Sequence, residues 1–381
     1  MQAYLDHAAT TPMRPESLAA MLPFLTEHFG NPSGSHAPAR RARTAIDEAR
    51  DEVARCLGCQ PGEVVFTSGG TESDNLAVLG APGSGPGAVL CSAVEHHAVL
   101  NACAARGGTT VRVDSSGVVD LDALADALGP HVRLVSVMLV NNEVGTVQPL
   151  AQVAALVRRF APRALLHTDA VAAVGWLDVA DRAAVADLVS VSAHKFGGPK
   201  GMGALVVRGQ ARLAPVLHGG PQERGRRPGT HDVAGAAGTA AALRVATDRR
   251  PETVRLVGAR RDRLAEGLSA SITGLEQTAA HAGATDVPHQ PEKVASSCHL
   301  RVAGVDQEEL LVLLDDEGVS ASAGAACASG AVEPSHVLLA MGFSADEAKS
   351  AVRFSLGHST TEAEIDHVLD VMPKVVERLR A

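Results

Sequence analysis

Between residues 60 and 210 the chain alternates short apolar runs with stretches whose apolar residues recur every three or four positions. The runs EVVFTS (63–68), GAVLCSAV (87–94), VRLVSVMLV (132–140), ALLHTDAV (164–171), DLVSVSA (187–193) and GALVVRG (203–209) read as buried strands. LDALADALG (121–129) and LAQVAALVRRFA (150–161) read as amphipathic helices. Strand and helix in alternation predict an α/β fold, with a mostly parallel sheet covered by helices on both faces. Ligands of such sheets bind at the carboxyl ends of the strands. The residues that follow each run therefore matter most: SGGTES, EHH, NNEVG, HTDAV and SAHK. Beyond them, the polar stretch 247–267 reads as a charged helix leading to a second region of shorter elements, SSCHLRVAG, DQEELLVLLDDEG and the terminal helix TEAEIDHVLDVMPKVVERLR. The boundary is expected near residue 258, giving two domains, as a chain of 381 residues allows.

Composition narrows the function. The formal net charge of −9 disfavours direct nucleic-acid binding, which needs a basic surface to displace counterions. The clusters Arg40-Arg41-Ala42-Arg43 and Arg224-Gly225-Arg226-Arg227 are local and read as solvated faces or anion contacts. No apolar run approaches a membrane span, and the amino terminus lacks a basic region followed by an apolar one, so no membrane association and a cytoplasmic location are expected. Six cysteines, at 56, 59, 91, 103, 298 and 327, are then expected as thiols. Cys56 and Cys59 have the spacing of a metal or redox pair, but no second pair follows and no metal is expected.

Three strand ends carry the chemistry. SVSAHKFGGPKG sets Lys195 behind a histidine where a strand closes. A lysine held there, away from bulk water, can lose its proton and become a nucleophilic amine. Taken alone, it reads better as a surface lysine ending a strand; Lys200 lies in a glycine-rich turn and is expected to be exposed. HTDAV puts Asp169 at a neighbouring strand end, as a helix-capping or ion-paired acid or as the carboxylate that keeps a pyridine nitrogen protonated. FTSGGTESDNLAVLG is strand, Ser-Gly-Gly-Thr, helix: backbone N–H groups and the Thr71 hydroxyl can meet a phosphate there, Gly69 and Gly70 allow close approach, and Ser192 and His194 add donors. Amine, carboxylate and phosphate anchor together are the requirements of pyridoxal 5'-phosphate.

The succession YLDHAATTP, GNPSGSH, FTSGGTESDN, EHHAV, NNEVGTVQP, HTDAV, SAHKFGGPKG, ERGRRPGT and VRFSLG resembles the cysteine desulfurases of the NifS and IscS type, in the class V branch of the aminotransferase fold, from Tyr4 to the C-terminal helix. The resemblance implies a fold type I architecture with a seven-stranded, mainly parallel sheet in a large domain (15–258). A small α+β domain would combine 1–14 with 259–381, and the protein would be a homodimer with active sites near the interface. It implies that Lys195 is the Schiff-base lysine, Asp169 the partner of the pyridine nitrogen, and His96 the ring that stacks on the cofactor and assists proton transfer. Gly70, Thr71, Ser192 and His194 would hold the phosphate, with Thr230 reaching in from the other subunit. Asn142, also against the cofactor, and Arg353 would orient L-cysteine, a planar guanidinium suiting a carboxylate; without the resemblance Arg353 reads as a structural ion pair.

The sulfur carrier implied is Cys327, in SASAGAACASGAVEPSHVL, a segment of small residues that otherwise reads as one more small position. The following AVEPSHVL resembles the longer loop of the NifS/IscS group. One departure stands out: the family's D-x-x-Q, whose amide contacts the cofactor's phenolic oxygen, has Ala172 at the last position. His7, where asparagine is frequent, is a smaller variation. The expected reaction is L-cysteine to L-alanine, with sulfur left as a persulfide on Cys327 for an acceptor protein. The alternatives are a selenocysteine lyase or other class V lyase, and a docking subunit with weak turnover of its own. Iron–sulfur assembly, tRNA thiolation and DNA phosphorothioation are candidate pathways, and the chain as a whole, including Ala172, resembles the desulfurase of the last.

Overall fold

The structure, a computed structural model, describes residues 1–82, 88–209, 211–279, 291–324 and 333–381. Among the described residues, twelve strands form three sheets. β1 (Ala3–Tyr4) pairs in parallel with β11 (Val319–Ser320). A seven-stranded sheet holds β2 (Val64–Thr67), β3 (Val89–Ser92), β4 (Thr109–Val111), β5 (Leu134–Ser136), β6 (Leu165–Asp169), β7 (Leu188–Ser192) and β8 (Gly203–Val207), in the order β2-β8-β7-β6-β5-β3-β4. An antiparallel sheet is ordered β12 (Ala351–Ser355), β10 (Ser297–Val302), β9 (Leu275–Gln277).

All six expected strand runs lie in the large sheet, because apolar residues on both faces need helices on both sides. Only β8 runs against its neighbours, antiparallel to both β2 and β7. The carboxyl ends of β2, β3, β5, β6 and β7 therefore point the same way. Two features escaped the periodicity. The helix Ala37–Leu57 carries a polar, charge-rich outer face over a narrow buried stripe that includes Ala42, Ile46, Ala49 and Val53. The charged run 247–267 is divided: one helix, Val233–Asp248, ends inside it, and another, Arg250–Ser271, begins with Pro251 in its first turn, where the missing N–H costs nothing.

A second core joins the chain ends. Ala3 and Leu5 pack with Leu264, Leu300, Leu310, Phe354 and the inner face of the helix Glu362–Arg380. That helix starts in a capping box of Thr361 and Glu364 and buries Ile365, Val368, Met372 and Val376. Truncating one of these to alanine would cost about 2–5 kcal/mol. Residue 258, the expected boundary, falls within the continuous helix Arg250–Ser271. No helix among the described residues is long and apolar enough to cross a membrane.

Candidate active site

Five strand ends of the large sheet converge on a cavity of ≈ 380 Å³. Gly70 and Thr71 follow β2, His96 follows β3, Asn142 follows β5, Asp169 closes β6, and Ser192, His194 and Lys195 end β7; all line it, and Arg353 of β12 completes the wall. Gly69, at φ +148°, and Gly70 start the helix Gly70–Gly80. A Cβ on Gly70 would lie 2.8 Å from Val171 Cγ2 and 3.5 Å from Ser192 Cβ, so only glycine lets the helix start this close to the β6 and β7 ends.

Lys195 is desolvated. Its Nζ donates to the backbone oxygens of Ala8 and Ala9, the latter at 3.0 Å. Burial, and then the Arg353 guanidinium, push its amine down to about 8, while Asp169 and Asp6 pull the other way. Lys200 is exposed. Asp169 is 5% exposed, and its Oδ1 accepts the Val171 N–H at 2.8 Å. Burial raises its carboxyl; the Val171 N–H and Lys195 oppose that.

Two more buried acids surround Asp169. Asp74 lines the same cavity, and its Oδ1 has no hydrogen-bond partner among the described residues; Glu95 is fully buried and accepts the Met138 N–H. Burial first, and Asp169 next, hold both well above the usual carboxylate range. Of the three, Asp169 is the one whose carboxylate Lys195 stabilises, and mutual repulsion disfavours ionising all three together.

The His96 ring caps the helix His97–Ala105, its Nδ1 accepting the Ala98 N–H at 3.1 Å, which leaves Nε2 as the ring's N–H. Desolvation and Lys195 keep this imidazole below the usual histidine range, so it is neutral at pH 7. His194 Nδ1 lies 3.2 Å from Thr10 Oγ1, and its carbonyl oxygen accepts the Thr11 hydroxyl. Arg353 is 2% exposed; Nη2 donates to Asp6 Oδ1 and Nη1 to Asn142 O, both at 2.9 Å.

Not every expected residue is brought in. Thr230 is exposed and borders a different hollow, with Glu223, Arg227 and His231. Cys327 lies outside the described residues, although Gly324, three positions before it, lines the cavity. Ala172 lines it too, and His7 is buried with its ring against Gly357. Three contributors escaped the sequence reading: Asp6, Asp74 and the carbonyls of Ala8 and Ala9. The motif YLDHAATTP held the signal for Asp6, but only the fold puts it beside residue 353.

The donor set fits pyridoxal phosphate. A low-pKa amine, a buried carboxyl in want of a cation, and a glycine cradle at a helix start with Thr71, Ser192 and His194 beside it match an aldehyde, a pyridinium and a phosphate. Comparison with known proteins agrees. The class-V aminotransferase family matches residues 3–368. An IscS-like cysteine desulfurase of Mycobacterium tuberculosis (strain ATCC 25618 / H37Rv) is 43% identical over 392 aligned residues, covering 99% of this chain and 97% of the relative. A solved NifS-like protein superposes with a TM-score of 0.89 at 32% identity, over 99% of this chain and all of that one. DndA from Streptomyces lividans does so with a TM-score of 0.72 at 33% identity, over 92% and 99%. Fold and site define a pyridoxal-phosphate enzyme, and the chain belongs to the class-V aminotransferase family. Within that family it is a cysteine desulfurase of the IscS/NifS-like kind.

Proposed function

We propose that Lys195, Asp169, His96 and Arg353 carry the desulfurase reaction and that Cys327 receives the sulfur. The meeting of Lys195 and Asp169 in one cavity carries the assignment. Pyridoxal phosphate supplies the electron sink for bond changes at the substrate carbons. Lys195 offers a neutral amine at moderately alkaline pH and serves as a proton carrier beside the substrate. Asp169 keeps a negative charge at the floor of the cavity. His96 holds a proton at Nε2, its ring fixed by the cap at Nδ1. Thr71, Ser192 and His194 take the phosphate, and Asn142 and Arg353 orient the amino acid.

The sulfur step balances within the chain and its substrate. The Cys327 thiolate attacks the substrate sulfur, an S–S bond forms, and the C–S bond breaks with its electron pair going to carbon. That carbon takes a proton, giving L-alanine and a persulfide. Gly324, three positions before Cys327 in the sequence, lines the cavity.

The enzyme acts as a homodimer of two-domain subunits (15–258, with 1–14 and 259–381), in the cytoplasm, and delivers sulfur to an acceptor protein. Thr230, exposed and outside its own cavity, is available to a second copy. Leu18, Leu22 and Leu25 form an exposed apolar stripe on the helix Pro15–Thr26, as a partner would require. The likeness to DndA fits DNA phosphorothioation as the pathway. Peptide mass spectrometry after cysteine treatment tests the reading: it expects alanine in solution and a persulfide on Cys327, and a persulfide confined to another thiol overturns it.

A further inference from the structure

Arg353 is a buried cation whose guanidinium has five N–H donors. Nη1 donates to Asn142 O at 2.9 Å and reaches Gly324 O at 3.4 Å, Nη2 donates to Asp6 Oδ1 at 2.9 Å, and buried Nε has no partner among the described residues. Among the described residues, Asp6 is the one carboxylate in direct contact with it. Glu143, also within electrostatic range, accepts the Ser335 hydroxyl at Oε2 instead.

The contact is built by the fold. The chain beyond β1 bridges to β12 at Asp6 and Ser355, the His7 N–H donates to Ser355 O, and the Ala8 N–H donates to Ser355 Oγ. The Tyr4 hydroxyl ties the turn, its one proton shared between Thr10 O at 2.9 Å and Asp6 O at 3.1 Å. The same turn receives Lys195 at Ala8 and Ala9, so one N-terminal segment touches both cations of the site. The Asp6 side chain is 21% exposed, which leaves it a route toward solvent.

We propose that Asp6 is a resident carboxylate on Arg353 that the incoming substrate carboxylate must share or displace, so that Asp6 sets substrate affinity and holds down the affinity for simple anions. This rests on the reading of Arg353 as the substrate's carboxylate anchor. A guanidinium buried without an anion is strongly disfavoured, and Asp6 meets that need when no substrate is bound. Two carboxylates on one guanidinium repel each other, so the resident one weakens the second. Plain carboxylates, which gain nothing from the amino-group chemistry at Lys195, feel that weakening without compensation.

The test compares the holoenzyme with Asp6→Asn, which keeps the acceptor oxygen and loses the charge, and with the smaller Asp6→Ser. Both should lower KM for L-cysteine about fivefold, more than they change kcat, and tighten inhibition by propionate by a similar factor. A purely structural role would raise KM, so an unchanged or raised KM in either folded variant overturns the proposal. Arg353→Gln separates the two readings. If Arg353 anchors the carboxylate, KM rises at least about tenfold in this variant whatever Asp6 does. If KM does not rise there, the anchor reading has failed, and the role of Asp6 with it.

Discussion

Asp169 closes β6 and Lys195 follows the adjacent parallel strand β7 by three residues, so that a carboxylate and an amine from neighbouring strand ends meet in one cavity. Lys200, five positions on, is exposed. Lys195→Ala should therefore abolish the visible absorbance of bound cofactor, and Lys200→Ala should keep it. Absorbance spectra of the purified variants decide; the reverse pattern would remove Lys195 from its assigned role.

The pH dependence of cofactor uptake should report the same amine. Burial brings Lys195 down to about 8, against about 10.4 for an ordinary lysine. The neutral fraction then rises about tenfold per pH unit up to the region of pH 8 and levels off beyond it. The rate at which apoenzyme regains absorbance with pyridoxal phosphate should follow that curve. A rate still climbing steeply between pH 9 and 10 would mean that the amine is not depressed.

Cys327→Ser should retain pyridoxal phosphate, because no residue lining the described cavity is altered, yet form neither persulfide nor alanine. A hydroxyl is a poor nucleophile toward sulfur without an activating base. Cys56, Cys59 and Cys298 make poor substitutes, because burial pushes the first two up to about 11 and the third up to about 12, and Cys91 and Cys103 are buried away from solvent. Undiminished alanine formation in the variant would take Cys327 out of the mechanism.

Much of this was legible in local pattern, and what was not depends on long-range register. Apolar runs and the residues after them located Lys195, Asp169, His96 and Asn142, because side-chain period and strand polarity are local properties. Asp6 pairs with Arg353 across 347 positions through a bridge that neither segment displays by itself. Asp74 was hidden differently: in the helix Gly70–Gly80 it reads as one polar position among several, and only packing turns it inward to 1% exposure. The charged run 247–267 reads as one helix until Pro251 is recognised as a start signal.

Glu223 should matter for stability although it lies outside the catalytic cavity. Its φ of +48° places a non-glycine residue in the left-handed region, and its buried carboxylate takes two 2.7 Å bonds from Arg50, with further donors from Phe66 N and His231 Nε2. Burial acts to raise its carboxyl, but Arg50 and then His231 outweigh it and hold it at about 2. A depressed folded-state value gives stability that is fully present above the unfolded value of about 4.3 and is lost as pH falls toward 2. Glu223→Ala should cost about 3–5 kcal/mol at pH 7, since it leaves Arg50 buried without its partner. It should also flatten the acid limb of stability between pH 4.5 and 2. Urea unfolding followed across that range is the measurement; a loss under about 1 kcal/mol would place the ion pair among those with little net worth.

Ala172 lines the cavity with Lys195 and Asn142, where the family pattern puts a glutamine amide. A side chain ending at Cβ donates nothing to the cofactor's phenolic oxygen. With the cofactor bound, that oxygen would lack a donor from position 172 and would hold a neighbouring proton more tightly. Ala172→Gln should restore a donor, draw off part of the oxygen's charge and lower the pH midpoint of the visible absorbance change. A bond worth about 1 kcal/mol corresponds to a shift of about half to one pH unit. A water already donating at that place would shrink the effect. Titrating the absorbance of both proteins from pH 6 to 10 is the test. A lowered midpoint places residue 172 against the phenolic oxygen; an unchanged or raised one means that position 172 does not reach that oxygen or that water has already taken the amide's place.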